Sequence, residues 1–431
     1  MLEVFSTILG DIFKLPFETD LNFNLSLISQ FFKLWWWVFI PFILFFPAKF
    51  FHLWWRSWEV WYKKQKWVFL EIKPPKEIVK PIKAMEHVFQ SLWGPLFDQK
   101  NLAEMWVRGE MVDWASFEIA SFAGEVHFYV RCFEERRVLI ESAIYSQYPD
   151  AEISETEDYT KLVPQDIPNQ EWDLYGLDLS FLKEDYYPIK TYLSFFEERG
   201  ELIKEEKRID PMAKLIETLS VLEPGEQYWL QIIIRSVSPQ ENPWVKKGKE
   251  KIDKIVGRVK AHPQLFGPPP EKKEEILPPA LRMTYGETEI VKEIENKIKK
   301  NGFETVLRGI YLAKRDIFHW HHKYIVDAYG SEFGSQNLNA LKKWGKTKTT
   351  AIASPLLFGI RRMYIKKRKM FRNYIRRFPP FFPKSPRKGV LVLNTEELAT
   401  LYHFPEKAPA TITTRVEAKK GEPPLNLPTE E

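Results

Sequence analysis

The most apolar part of the chain is a run near its N-terminus that is bracketed by tryptophans. The stretch from Leu34 to Ala48 has no charged residue, although Pro41 and Pro47 interrupt it. Because tryptophan prefers the membrane interface, its two clusters predict one transmembrane helix over 28–55. The run is short for a span, so an aromatic core helix and a re-entrant segment remain the alternatives. The predicted membrane-interface residues are Trp35, Trp36, Trp37, Trp54 and Trp55.

Charges on the two sides of this run predict its orientation. Arg56, Lys63, Lys64 and Lys66 follow the run, whereas residues 1–27 carry more acidic than basic side chains. The positive-inside rule then puts the C-terminal side in the cytoplasm. Apolar residues also recur at helical spacing within 1–27, which predicts a short amphipathic segment on the outer face of the membrane.

Beyond the apolar run, the pattern changes to short strands and amphipathic helices. Residues 67–208 form a first unit whose predicted order includes a β-β-α-β series, from the hairpin at 116–132 to the strand at 151–154. Such a series is half of a ferredoxin-like α+β sandwich. Residues 209–345 repeat the order of elements without a repeat of residues, and form a second unit with predicted strands over 226–238 and 303–313 and a predicted helix over 315–328. The predicted fold class is therefore α+β, with ferredoxin-like units after one transmembrane helix.

The second unit contains an insertion at about 239–284. It is rich in charge and holds the run Gly267-Pro268-Pro269-Pro270. This composition predicts a mobile excursion that contributes nothing to the core.

A basic helical region is predicted over 350–405, followed by an extended tail over 406–431. From Arg361 to Lys388 the chain has twelve Lys or Arg and no acidic residue. Apolar residues alternate with these cations, which suits an anionic membrane surface, a phosphate backbone or an acidic partner. The alternative is a partly packed helix with a solvated basic rim. The candidate binding residues are Arg361, Arg362, Lys366, Lys367, Arg368, Lys369, Arg372, Arg376 and Arg377.

Composition and motifs indicate no catalytic chemistry. The net charge of +5 is too close to balance to indicate a nucleic-acid protein by itself, and the single cysteine, Cys132, excludes a CxxC pair. Gly345-Lys346-Thr347 lacks the first glycine of a P-loop, because Ala340 stands in its place. His319 and His322 lack an evident third metal ligand. We therefore predict no catalytic, cofactor or metal site.

Three stretches carry a resemblance to a known group of proteins. They are "AIYSQYPDAEI" (143–153), "PMAKLIETLSVLEPGEQYWLQIII" (211–234) and "LNTEELATLYHFP" (393–405), the last followed by "RVEAKKGEPP" (415–424). Together they resemble the accessory region that precedes the motor in bacterial membrane proteins related to type IV secretion and conjugation ATPases and to HerA-type helicases. The likeness spans most of residues 67–428 and includes no catalytic residue.

The resemblance implies a non-catalytic component of such an assembly in the bacterial inner membrane. Because this chain stops at Glu431, where the motor would begin, we expect a separately encoded P-loop ATPase as its partner, besides membrane lipid. A homo-oligomer and a nucleic acid remain open as further partners. The alternative function is a membrane-tethered nucleic-acid-binding protein that uses the basic helix 361–388. An unrecognised enzyme is disfavoured because no acid, base and nucleophile are evident together.

Overall fold

The fold is taken from a computed structural model of the chain. The chain divides into two compact units: Met1–Lys64 with Asn101–Glu110, and Gln65–Lys100 with Met111–Glu431. The predicted tail and most of the predicted N-terminal amphipathic segment lie outside the described residues. The structure describes residues 21–75, 82–97, 100–197, 207–208, 210–257, 283–350, 358–377 and 389–405.

The first unit is built on one long helix. Helix α1 (Leu21–Trp54) continues through a π-helical turn (Trp55–Trp61) into a last short helical turn (Tyr62–Lys64). Its 32 residues Lys33–Lys64 are long and apolar enough to cross a membrane. The predicted span over 28–55 therefore lies within a single continuous helix.

A second short element belongs to the same unit. The π-helical turn Glu104–Arg108 lies against the C-terminal part of the long helix. The His52 Nε2 atom lies 3.0 Å from the carbonyl oxygen of Trp106, and Arg56 Nε donates to the carbonyl oxygen of Val107 at 2.9 Å. These two contacts join residues that are about fifty positions apart in the sequence.

The second unit is organised around a nine-stranded sheet in which every pair of neighbours is antiparallel. A separate pair, β6 (Phe196–Glu197) and β7 (Lys207–Arg208), lies outside this sheet. The nine strands are β1 (Trp67–Lys73), β2 (Ala115–Phe122), β3 (Glu125–Phe133), β4 (Glu152–Glu155), β5 (Trp172–Phe181), β8 (Glu226–Val237), β9 (Gly302–Lys314), β10 (Leu341–Lys343) and β11 (Leu391–Asn394).

The order of the strands divides the sheet into two halves of the same topology. The order is β10-β5-β9-β8-β2-β3-β1-β4, with β11 added to the free end of β9. The first half consists of β1, β2, β3 and β4, and the second of β5, β8, β9 and β10. When the four strands of a half are numbered along the chain, their order from the outer edge of the sheet is fourth, first, third, second. The second strands of the two halves, β8 and β2, pair with each other, and Glu118 lies opposite Gln231 at this join.

Helices pack on both faces of the sheet. Those described in the second unit are α2 (Lys83–Trp93), α3 (Arg137–Gln147), α4 (Pro211–Ser220), α5 (Trp244–Val256), α6 (Tyr285–Ile298), α7 (Lys323–Tyr329), α8 (Gly359–Ile375) and α9 (Thr395–Leu401). The buried residues of α2, α3, α4, α7 and α9 share one apolar core with one face of the sheet, whereas those of α8 belong to a second core on the opposite face.

The insertion after β8 departs from the sequence prediction. Its first part forms α5, which packs on α6, so it is an ordered part of the body. Trp244 is buried and belongs to a small apolar core with Val237 and Val392. A Cβ atom on Gly248 would lie 2.8 Å from the side chain of Ile298, so this glycine permits the close approach of the two helices. The Gly-Pro-Pro-Pro run lies outside the described residues.

Three further boundaries differ from those predicted. Strand β5 falls within the predicted first unit, but it pairs with β9 and β10 in the second half of the sheet. The helix predicted over 315–328 begins only at Lys323, after a turn. The region predicted as helical over 350–405 contains α8, but it also contains strand β11 and the short helix α9.

Candidate anionic-surface site on the basic helix

The candidate binding residues lie on and just after α8, which packs on the face of the sheet opposite to α2, α3, α4 and α7. Met370, Phe371 and Tyr374 form its buried stripe. The Tyr374 ring lies 5.3 Å from the ring of Trp229, measured between centroids. Because the chain has no acidic residue between Gly359 and Ile375, any acidic partner of its cations must come from elsewhere in the fold.

The nine predicted cations divide by exposure, and two of them contradict the prediction of a surface site. Lys367 is 8% exposed and Arg377 is fully buried, so neither can meet a membrane or a nucleic acid. Lys366 and Arg368 are half-buried. The exposed members of the set are Arg361, Arg362, Lys369, Arg372 and Arg376.

The buried and half-buried cations in the middle of α8 fasten the helix to the body. Lys367 Nζ lies 2.6 Å from a carboxylate oxygen of Asp173 on β5. Arg368 donates to the backbone carbonyl oxygens of Gln165 at 2.8 Å and Ile167 at 3.2 Å. Lys366 Nζ likewise donates to two backbone carbonyl oxygens of the 348–350 loop. The local sequence does not reveal these roles, because the acceptors are backbone groups or lie almost two hundred residues away.

Arg377, just past the end of α8, is the most deeply buried of the cations. Its Nε and Nη2 atoms donate to the two carboxylate oxygens of Glu118, each at 2.9 Å, and it also pairs with Asp158. Burial alone would raise the pKa of Asp158, but the Arg377 guanidinium and hydrogen bonds from Thr160 hold that pKa below its ordinary value. The arginine therefore joins the end of α8 to strand β2.

This ion pair belongs to a row of polar side chains that crosses the sheet under α8. Asp178, Arg308, Gln231 and Glu118 occupy directly opposite positions on β5, β9, β8 and β2. Arg308 donates to Asp178 at 2.8 Å and to Gln231 at 3.1 Å, and Gln231 donates to Glu118 at 3.1 Å. Each of these polar residues has a nonpolar residue on either side of it in its strand. A polar residue between nonpolar neighbours is the sequence signal that could have revealed the row.

A small cleft lies beside the C-terminal half of α8. It has a volume of about 210 Å³, and three arginines at helical spacing, Arg368, Arg372 and Arg376, form its polar lining. Phe371 and Gln165 contribute to its remaining walls. Such a lining suits an anionic group.

The predicted membrane-interface tryptophans lie on α1 and on the π-helical turn that follows it. Trp36, Trp37 and Trp55 are exposed, with between 49% and 60% of their surface accessible. Trp35 and Trp54 are half-buried. A ring of amphipathic side chains on an exposed apolar helix is typical of a membrane interface.

The other sequence motifs take structural roles. The ring of His322 lies 2.7 Å from Glu226, as an Nδ1 to Oε1 contact. Gly345 to Thr347 form a turn after β10, and the Thr347 amide donates to the Trp344 carbonyl oxygen at 3.0 Å. In the part of the chain that the structure describes, no three His, Cys, Asp or Glu side chains are grouped so that they could hold a metal ion.

Comparison with known protein families gives one match. A model described as a domain of unknown function (DUF8128) matches residues 59–316, which is more than half of the chain. The chain belongs to the DUF8128 family. The match to DUF8128 ends after β9, so the basic helix α8 lies outside the matched residues. No curated protein matches the chain.

Proposed function

We propose that this chain is a membrane-anchored, non-catalytic component of a type IV secretion- or conjugation-like ATPase assembly, and that a separately encoded P-loop motor docks on it. The chain would be held in the bacterial inner membrane by α1, with the α+β body in the cytoplasm. The basic residues that follow the apolar run, from Arg56 to Lys66, support this orientation. The most apolar window of the helix is not buried within the protein, which disfavours a core helix.

The observation that carries the proposal is the anchoring of the segment Leu391–Phe404, which contains one of the stretches that resemble motor-linked proteins. Strand β11 pairs with β9, and all seven residues of α9 are buried. Glu397 of α9 forms a fully buried ion pair with Lys297. The residues after Pro405 therefore start from a fixed point on the body, as a docking segment requires.

We also infer that each half of the sheet is a ferredoxin-like unit. The order fourth, first, third, second and the antiparallel pairing of neighbours support this inference. The helices support it as well. Helices α2 and α4 each connect the first strand of a half to the second, and α3 and α7 each connect the third strand to the fourth. Two such units joined through their second strands would give a broad, rigid platform.

The docking proposal is tested by exchanging the tail. Residues 406–431 are replaced by a Gly-Ser segment of the same length, and the full chain is coexpressed with a candidate P-loop ATPase from a neighbouring gene. We expect the wild-type chain to copurify with the ATPase from detergent extracts. The exchanged chain should lose the ATPase but keep its melting temperature, because nothing before residue 406 is altered.

Two results would contradict the proposal. The first is an ATPase that fails to copurify with the wild-type chain, and the second is equal recovery with the exchanged tail. A full-length chain recovered in the soluble fraction after lysis without detergent would contradict the membrane anchor.

The second candidate function is nucleic-acid binding by α8, which the five exposed cations support. Arg361→Gln with Arg362→Gln is the suitable variant for testing it, because both side chains are exposed. Reversing Lys367 is unsuitable, since that change would break a buried ion pair with Asp173. If DNA binds through phosphate contacts, affinity should fall steeply with salt and the variant should bind more weakly. No binding by the wild-type chain at low salt would remove this candidate.

A further inference from the structure

The apolar stripe of α8 continues beyond the part that the body covers. Ile360, Tyr364, Lys367 and Phe371 follow one another at spacings of four, three and four residues, so they share one face of the helix. Lys367 and Phe371 are buried, but Ile360 is 79% and Tyr364 50% exposed. Phe358, at the start of the helix, is 73% exposed. The first two turns therefore present a continuation of the packing face to solvent.

Cations lie beside this uncovered stripe and on the opposite side of the helix. At 100° per residue, Arg361 and Arg368 lie beside the stripe, whereas Arg362 and Lys366 lie on the far side of the helix. Within the described residues, neither Arg361 nor Arg362 forms an ion pair. The result is an amphipathic start of the helix, with an apolar strip on one face, positive charge beside and opposite it, and no acidic residue in the helix.

We propose that the first two turns of α8 lie on an anionic lipid surface. Phe358, Ile360 and Tyr364 would enter the boundary between headgroups and acyl chains, Arg361 beside them would contact the anionic headgroups, and Arg362 on the polar face of the helix would add to the electrostatic attraction. This inference rests on the proposed function, because α1 would bring the same chain to a bilayer.

The combination of side chains favours lipid over nucleic acid. A phosphate backbone would satisfy the arginines, but it would leave Phe358 and Ile360 exposed to water. An anionic bilayer surface accommodates both the apolar and the basic side chains, because apolar acyl chains lie directly beneath its charged headgroups. The charge complementarity and the uncovered apolar strip therefore select the same occupant.

The single cysteine makes a direct test practical. Cys132 is fully buried, and burial raises the pKa of its thiol to about 12, so it should resist labelling. In the full chain, Ile360→Cys is labelled with an environment-sensitive fluorophore. The protein is then reconstituted into vesicles of phosphatidylcholine alone or of phosphatidylcholine with phosphatidylglycerol, both containing a lipid with a nitroxide near the headgroup.

We expect quenching at residue 360 to be at least about twofold stronger with phosphatidylglycerol, because headgroup charge contributes to interfacial binding. Adding Arg361→Gln and Arg362→Gln should reduce this quenching to the level seen in phosphatidylcholine. The matched control is Val221→Cys, an exposed apolar position just past α4 that is 66% exposed. It should show little quenching in either vesicle.

A label at Ile43→Cys in α1, quenched by a nitroxide deep in the acyl chains, separates the two proposals. If residue 43 is not quenched, the membrane anchor of the proposed function fails. If residue 43 is quenched while residue 360 remains in water, only the lipid-surface inference is overturned. Equal shielding of residue 360 in both vesicles would also overturn it, because the cations would then take no part. Shielding by added DNA but not by anionic lipid would assign the surface to nucleic acid instead.

Discussion

Replacing Arg377 by methionine should be one of the most damaging single changes in the α+β body. Its guanidinium donates two hydrogen bonds to Glu118 and also pairs with Asp158. Both Arg377 and Glu118 are fully buried. Methionine keeps much of the length of the side chain but removes the charge and every donor, so the carboxylate of Glu118 loses its cation without gaining water.

The size of the effect follows from what remains around Glu118. Breaking a buried ion pair from one side costs about 3–5 kcal/mol, because the other charge is left uncompensated. Glu118 keeps hydrogen bonds from Ser116 at 2.6 Å, Tyr159 at 2.7 Å and Gln231 at 3.1 Å. The side chain of Asp158 is 22% exposed and can be hydrated. Because these interactions remain, the expected loss in the free energy of unfolding is near the lower end of that range, at about 3 kcal/mol.

The assay is denaturant unfolding of the full chain in detergent, followed by tryptophan fluorescence. Trp229 is a suitable reporter because its ring packs against Tyr374 beside the ion pair. The matched control is Arg372→Met, an exposed cation on the same helix, which should change the free energy of unfolding by less than about 0.5 kcal/mol. The double variant Glu118→Gln with Arg377→Met removes both charges and should recover at least about 1 kcal/mol of the loss.

Two outcomes would refute this reasoning. A loss of less than about 1 kcal/mol for Arg377→Met would mean that the ion pair does little to fasten the end of α8. A double variant no more stable than the single one would mean that the unpaired charge of Glu118 is not the source of the penalty.

Two further predictions concern Glu71 and Lys346. The hydrogen bond from His127 lowers the pKa of Glu71 below its ordinary value of 4.5, against the effect of burial. The carboxylate therefore stabilises the fold above pH 4.5. That contribution is lost as the pH falls through the folded-state pKa. Glu71→Gln should therefore lower the melting temperature at neutral pH, with the gap to wild type closing in acid; a gap independent of pH would contradict this. ATP should stabilise neither the wild-type chain nor Lys346→Ala, because this lysine lies in a turn closed by the Thr347 amide and the Trp344 carbonyl oxygen. A thermal shift with ATP that the substitution abolishes would show the prediction to be wrong.

The strands with the strongest apolar signal could be predicted from the sequence almost to the residue. Strand β8 was expected over 226–238 and β9 over 303–313, and both match the structure within a residue. Both are buried on two faces in the middle of the sheet, so their sequences are nearly continuous in apolar residues. Strand β5 contains Asp173 and Asp178 among its apolar residues, and its pairing with β9 depends on contacts more than a hundred residues apart.

Prediction of the candidate site is also limited by contacts between residues that are distant in the sequence. A run of cations predicts a basic surface, because charged residues are usually solvated. Sequence spacing places Lys367 and Arg377 among nine similar residues, and nothing local distinguishes them from Arg361 or Arg372. Their burial depends on Asp173 and Glu118, which arrive from strands far away in the chain. Long-range pairing therefore decides which members of a charge run are structural.

The topology explains why one helix carries both kinds of cation. Helices α2, α3, α4 and α7 share one apolar core with one face of the sheet. The C-terminal half of α8 packs on the opposite face, and Arg377 ties it to Glu118 beside the join of β2 and β8. The N-terminal half extends the same stripe beyond the covered face, where Ile360 and Tyr364 remain exposed. A charge reversal near residue 367 therefore perturbs the fold, whereas one at Arg361 and Arg362 perturbs a surface. Substitutions that report on what α8 binds must therefore be confined to its exposed positions, such as Arg361 and Arg362.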